Sequence, residues 1–307
     1  MTSQAHFAER EVHPAMVDGR PLTIYDIPLT VANLPELRQR CVDLAPTDSG
    51  TGPAVDHVED VSADGVPCRL YRSGHGQTRG AVIYAHGGGW IVGSLDTDDA
   101  LCREIATRSR LPVLAVDYRL APEHPYPAPI LDVETATNWL RRAGDKYGVA
   151  ANRFVIVGES AGAHIATVVA RRARDGGQPH QGQILVNPVV DPAQAYPSGD
   201  GYREDAEYMR FYWDAYVPPG VDRTGPDLNP LAANLAGLPP TLVITAEHDV
   251  LRPEGERYAT ALAIAGVPTT NVRYLSTYHG FVNWLAKVYA AVNAAGHIAA
   301  TACTMVK

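Results

Sequence analysis

Short apolar, β-rich runs alternate with longer segments of helical periodicity through most of the chain. The runs begin at Val55, Cys68, Ala81, Val113, Phe154, Ile184, Thr241 and Val272. Helical periodicity falls between them, over Asp96–Arg110, Ile130–Tyr147, Ser160–Asp175, Pro253–Ala265 and from Phe281 to about Ala295. AVIYA, FVIVG and TLVITA are apolar at consecutive positions rather than at every second one. A strand has that pattern when helices cover both faces of its sheet. The alternation predicts βαβ units and an α/β fold with a mostly parallel, eight-stranded sheet flanked by helices.

Two stretches break the rhythm. Residues 1–50 are polar with scattered apolar positions, and Leu34, Leu37 and Cys41 predict a helix within Leu29–Leu44. The turn-forming string TDSGTGPA follows it. Residues from about 191 to 238 are rich in Pro, Gly, Tyr and charge, and are too long for a plain connection. This predicts an insertion with one amphipathic helix near Glu204–Tyr216. The two stretches are expected to cap the main domain, residues 51–307. The insertion would contribute aromatic lining from among Tyr202, Tyr208, Phe211, Tyr212, Trp213 and Tyr216.

The strongest chemical signal is Gly158-Glu159-Ser160-Ala161-Gly162, a G-x-S-x-G string between the run at Phe154 and a helical segment. A serine at a tight strand-to-helix turn is held in strained backbone angles. Its oxygen projects at the carboxyl end of the sheet, where open α/β sheets bind ligands. The helix N-terminus adds partial positive charge where an oxyanion would form. A plain N-cap serine is the alternative.

His86-Gly87-Gly88-Gly89-Trp90 directly follows the run at Ala81. Glycine weakens strands, so strand propensity does not account for three in succession. They free backbone N–H groups to face a cavity, as an acyl-transfer site requires. A phosphate loop is the rival, but neither G-K-[ST] nor G-x-G-x-x-G with a later acid is present. His86 is expected to orient this loop by hydrogen bonding, with Glu159 and Glu247 also supporting the site.

Among eleven histidines, position decides. His279 falls just past the run at Val272, and Glu247 and Asp249 fall at the end of the run at Thr241. All three are expected on the same rim as Ser160. His279 would exchange the serine proton, and a buried carboxylate would hold its tautomer. Glu247 and Asp249 compete for that place. His124, His164 and His248 are read as structural, with His164 also a candidate for the pocket floor. Trp90, Tyr208, Phe211, Tyr212 and Phe281 are candidate pocket residues.

Composition narrows the picture further. The chain has 307 residues, 46% apolar and 20% charged, as in ordinary globular proteins. A net charge of −8 does not favour nucleic acid. No stretch approaches the roughly 18 apolar residues of a membrane span, so no membrane insertion is expected. The opening MTSQAHFAEREVHPAM lacks an apolar leader core. The four cysteines form no C-x-x-C pair. Free thiols and a cytoplasmic setting are expected.

Together these residues resemble the hormone-sensitive-lipase-like carboxylesterase family of the α/β-hydrolase fold. The similarity runs from about Ala81 to Phe281 and includes HGGGWIVGS, GESAG and the long string DYRLAPEHPYP from Asp117. Thr245–Gly255 is similar to the family block whose aspartate is the triad acid, which implies Asp249 over Glu247. His279-Gly280-Phe281 matches the family's HGF. The resemblance implies an oxyanion hole from Gly88, Gly89 and Ala161, with Gly87 a further candidate. It implies a small-molecule ester substrate, an acyl-serine intermediate and no cofactor or metal. It also admits a homodimer paired along the last strand near Val272. Where the family has A-G-G-N after the serine, this chain has Ala161-Gly162-Ala163-His164. Ser276-Thr277-Tyr278 replaces a Gly-Met stretch before His279. Dehydratases, cyclases, deacylases and acyltransferases share the scaffold, and an intact triad does not separate them from hydrolases.

Overall fold

The computed structural model describes residues 27–74, 76–149, 153–196 and 206–307. Eight strands form one sheet in the order β1-β2-β4-β3-β5-β6-β7-β8. They are β1 His57–Ala63, β2 Val66–Arg72, β3 Ala81–Ala85, β4 Val113–Val116, β5 Phe154–Glu159, β6 Gly182–Val186, β7 Thr241–His248 and β8 Thr269–Tyr278. β2 pairs antiparallel with both β1 and β4, and every other pairing is parallel. The helices are α1 Leu34–Asp48, α2 Asp99–Ser109, α3 Ala128–Ala143, α4 Ala161–Asp175, α5 Ala206–Tyr216, α6 Arg252–Ile264 and α7 Tyr289–Met305.

The consecutive apolar runs are explained by two cores, one on each face. Ile83, Ile156 and Val243 join α3, α4 and α6 on one side. Val82, Val155 and Leu242, each the preceding residue, join α2 and α7 on the other. Period-2 alternation therefore divides one apolar run between two buried faces.

Boundaries depart from the sequence pattern where tertiary bonds intervene. The helix expected from Phe281 is a 3-10 turn at Phe281–Asn283, and α7 starts only at Tyr289. The segment between is tied to the end of α1. Ser49 Oγ donates to the Asn283 carbonyl, Ala286 N donates to Asp48 O at 3.1 Å, and Lys287 Nζ reaches Asp48 at 2.5 Å. Those bonds displace intrahelical ones. The helix expected within Leu29–Leu44 lies later, at Leu34–Asp48. The insertion helix α5 is described from Ala206, so Tyr202 and Glu204 lie outside the described residues, as do residues 1–26.

Glu254, in the first turn of α6, secures the chain leaving β6. Its Oε2 accepts the N–H groups of Val190 and Asp191, each at 2.7 Å, and its Oε1 accepts the Tyr196 hydroxyl at 2.9 Å. Burial outweighs these donors and pushes the carboxyl up to about 8. Between the ordinary range near 4.5 and about 8, the folded chain holds a proton the unfolded chain has released. Stability therefore falls as pH rises through that window.

Two outcomes are expected. In urea titrations from pH 6.5 to 8.5, the wild type loses up to about 1.4 kcal/mol per pH unit from this group, whereas Glu254→Gln is flatter; equal slopes contradict the assignment. Gly162 carries the second test. A Cβ on it would run into the backbone carbonyls of Ala85 and His86, whereas one on Gly76 would meet nothing within 4 Å. Gly162→Ala is expected to cost about 3 kcal/mol, and Gly76→Ala no more than about 0.5 kcal/mol, in the same unfolding assay.

Candidate active site

The G-x-S-x-G turn is a steric construction. Ser160 sits between β5 and α4 with φ 51° and ψ −116°, a conformation costly for a residue with a Cβ. A Cβ on Gly158 would strike the carbonyl of Gly162. With both glycines in place, α4 presses against the end of β3, and Ser160 N donates to Val186 O at 2.8 Å. The hydroxyl is left at the carboxyl end of the sheet.

The other two groups arrive on neighbouring strand ends. A register shift between Ala246 and His248 bends the end of β7, and Asp249 follows directly. Asp249 is fully buried at its side chain, and its Oδ1 accepts Leu251 N at 2.8 Å. His279 follows β8 and precedes Gly280, whose φ of 73° turns the chain away. His279 Nδ1 lies 2.8 Å from Asp249 Oδ2, and His279 Nε2 lies 3.0 Å from Ser160 Oγ. The donor sense that fits a buried carboxylate is Nδ1–H to Asp249 and the serine hydroxyl to Nε2.

Glu247 is placed elsewhere. Its Oε2 accepts Ser276 N at 2.7 Å, and Arg252 donates to its carbonyl. Ser276 has φ 59°, so Glu247 steadies the strained bend three residues before His279. Glu159 lies closer, with Oε1 3.7 Å from His279 Nε2.

Each glycine of the loop after β3 is required by a different neighbour. A Cβ on Gly87 would overlap the Glu159 carboxylate, and one on Gly88, at φ 108°, the Val92 carbonyl. A Cβ on Gly89, at φ 57°, would come within 2.5 Å of the Tyr212 ring. All three glycines line the same cavity as Ser160 and His279. Ala161 is the first residue of α4, where amides have no intrahelical acceptor. His86 bonds the Gly87 carbonyl through Nδ1 at 2.7 Å and stacks on Tyr118 at 4.1 Å, whose hydroxyl donates to His86 O at 2.8 Å. It thus shapes the loop rather than facing the Ser160 hydroxyl.

The cavity holds about 200 Å³, and Leu37, Cys41 and Leu44 of α1 form one wall. Arg38 clamps that helix down. It donates to the carbonyls of Ile91 at 2.7 Å and Ala121 at 2.9 Å, and pairs with Glu123 at 2.7 Å. Sequence reasoning did not find Arg38, because an exposed-looking arginine carries no periodic signal.

Of the five aromatic residues expected in the pocket, Tyr212 alone lines the cavity. Trp90 has φ 63°, which turns its indole beneath the loop, where it stacks on Tyr216 at 4.3 Å and meets Trp213 at 4.7 Å. Phe281 is carried past Gly280 into the opposite core, against Tyr274 at 5.1 Å. Tyr208 lies a turn before Tyr212, and Phe211 about 100° around α5; both pack against the core instead. His164 has its edge against Trp90 and Trp213, fully buried, and burial lowers it to about 4. It is a core residue beneath α5 rather than a pocket floor. His124 caps a turn through its N–H to Leu120 O at 2.8 Å, and His248 lies 5.7 Å from the Tyr278 ring.

A family model described as alpha/beta hydrolase fold matches residues 82–283. The chain is 41% identical over 225 residues to esterase LipI of Mycobacterium tuberculosis, covering 69% of each chain. It is 33% identical over 257 residues to an ethyl acetate hydrolase of Pseudomonas putida, covering 78% of this chain and 80% of that one. Among solved structures, a hyperthermophilic esterase of Pyrobaculum calidifontis superimposes with a TM-score of 0.88 at 34% identity, covering 96% of this chain and 99% of that one. On motifs, fold and relatives alike, the chain belongs to the hormone-sensitive-lipase-like esterase family of the α/β-hydrolase fold.

Proposed function

We propose that the protein hydrolyses carboxylic esters of small to medium size through an acyl-serine intermediate, with Ser160, His279 and Asp249 as the triad. The reading rests on one observation above all, the line from Asp249 through His279 to Ser160 at 2.8 and 3.0 Å beside three glycines at the same cavity. The kinship with named esterases supports the reaction class.

In the first step His279 Nε2 takes the Ser160 proton as Oγ attacks the ester carbonyl carbon. The carbonyl oxygen becomes an oxyanion and accepts N–H groups from Gly88, Gly89 and Ala161, with Gly87 shaping the turn. Asp249 holds the imidazole tautomer and balances the imidazolium. The intermediate collapses, the C–O bond to the alcohol breaks, and His279 protonates the leaving oxygen. Water repeats the sequence on the acyl-serine and restores the free hydroxyl. α1 and the insertion serve as the cap that excludes bulk water. Among the described residues no helix is long and apolar enough to cross a membrane. We place the enzyme in the cytoplasm on its four free cysteines, with a small-molecule ester as its substrate.

With p-nitrophenyl butyrate, Ser160→Ala is expected to lower kcat by roughly 10⁶ and Asp249→Asn by roughly 10⁴. Both variants should keep the wild-type unfolding midpoint within a few degrees. Full activity in folded Ser160→Ala refutes the assignment.

A further inference from the structure

We infer that the cavity selects esters carrying a cationic amine, with Asp98 as the counter-charge; the inference rests on the ester-hydrolase reading. Asp98 lines the cavity and is 5% exposed. Its Oδ1 accepts the Tyr84 hydroxyl at 2.6 Å and Asn283 Nδ2 at 3.4 Å, and its Oδ2 accepts Thr97 Oγ1 at 2.7 Å. These donors are neutral, so none of them offsets the charge of a carboxylate. The N-terminus of α2, which Asp98 precedes, contributes only a partial positive charge.

The other carboxylates nearby are treated differently. Asp48 is paired with Lys287 at 2.5 Å, and Asp249 with His279 at 2.8 Å. Among the described residues no lysine, arginine or histidine pairs with Asp98, and no lysine or arginine lines the cavity. Glu159 adds a further carboxylate to the lining. A buried charge without a partner is costly, and a partner that restores the balance gains most where water is excluded. Cys41 lines the same cavity, and its thiol is pushed up to about 11, chiefly by burial and then by Asp98. Leu37, Leu44 and Ile91 give the hydrocarbon of such an ester apolar walls. A carboxylate on the same arm would meet Asp98 and Glu159 and be repelled.

The test compares isosteres on both arms of the ester. Butyrylcholine is set against 3,3-dimethylbutyl butyrate. The p-nitrophenyl ester of 6-(trimethylammonio)hexanoate is set against those of 7,7-dimethyloctanoate and adipate. On the arm that meets Asp98, the cationic ester is expected to exceed its neutral isostere at least tenfold in kcat/KM, and the adipate ester to fall below. Asp98→Asn retains the acceptor for Tyr84 and is expected to bring the cationic-to-neutral ratio near one. Should that variant not fold, inhibition of the wild type answers the same question: hexyltrimethylammonium should compete at least tenfold better than octanoate. Hydrolysis of p-nitrophenyl butyrate without cation preference on either arm, or a preference that survives Asp98→Asn, overturns the inference and leaves the esterase reading standing. Failure of every ester, with no organophosphate labelling, overturns both.

Discussion

The site depends on one close approach, the N-terminus of α4 against the backbone end of β3. Gly162 faces the carbonyls of Ala85 and His86, and no side chain fits there. That contact fixes the distance between the serine turn and the glycine loop. An oxyanion hole works only when donors stand where charge will develop, before the reaction begins. The strain at Ser160, with φ 51°, is tolerated because the two cores hold the flanking strand and helix on both faces.

Around that contact the parallel sheet does the rest. β5, β7 and β8 run the same way, so their carboxyl ends share a rim. Ser160, Asp249 and His279 each sit just past one of them, and a bulge and a positive-φ bend make the final adjustments. The contacts that brace these strand ends and the cavity wall are mostly backbone-directed: Glu247 on Ser276, Glu254 on the chain after β6, and Arg38 on the carbonyls of Ile91 and Ala121.

Much of this was legible from residue order. AVIYA marks β3 at its observed bounds, because a doubly covered strand has a periodicity no surface element shares. GESAG and HGGG are legible because close backbone and side-chain approach leaves no room for a Cβ at Gly87, Gly158 and Gly162, and because Gly88 and Gly89 take positive φ. The pocket was not legible in the same way. Trp90 and Phe281 follow residues that reverse the chain, and a sequence does not say into which core a reversed side chain falls. On α5, five aromatics from Tyr208 to Tyr216 left open which one faces inward, and packing of Trp213 and Tyr216 on Trp90 decides in favour of Tyr212 for the cavity. Asp98 stands in the acidic string LDTDD, which has the look of a solvated helix start until Tyr84 and Asn283 bury it.

The central claim is that the acyl group passes through Ser160. Rapid quenching of the wild-type enzyme during turnover of p-nitrophenyl butyrate, followed by peptide mass mapping, tests it directly. The account predicts a butyryl group on the peptide bearing Ser160, formed and lost at rates consistent with turnover. Sustained turnover with that serine unmodified, or the acyl group on another residue, would contradict it.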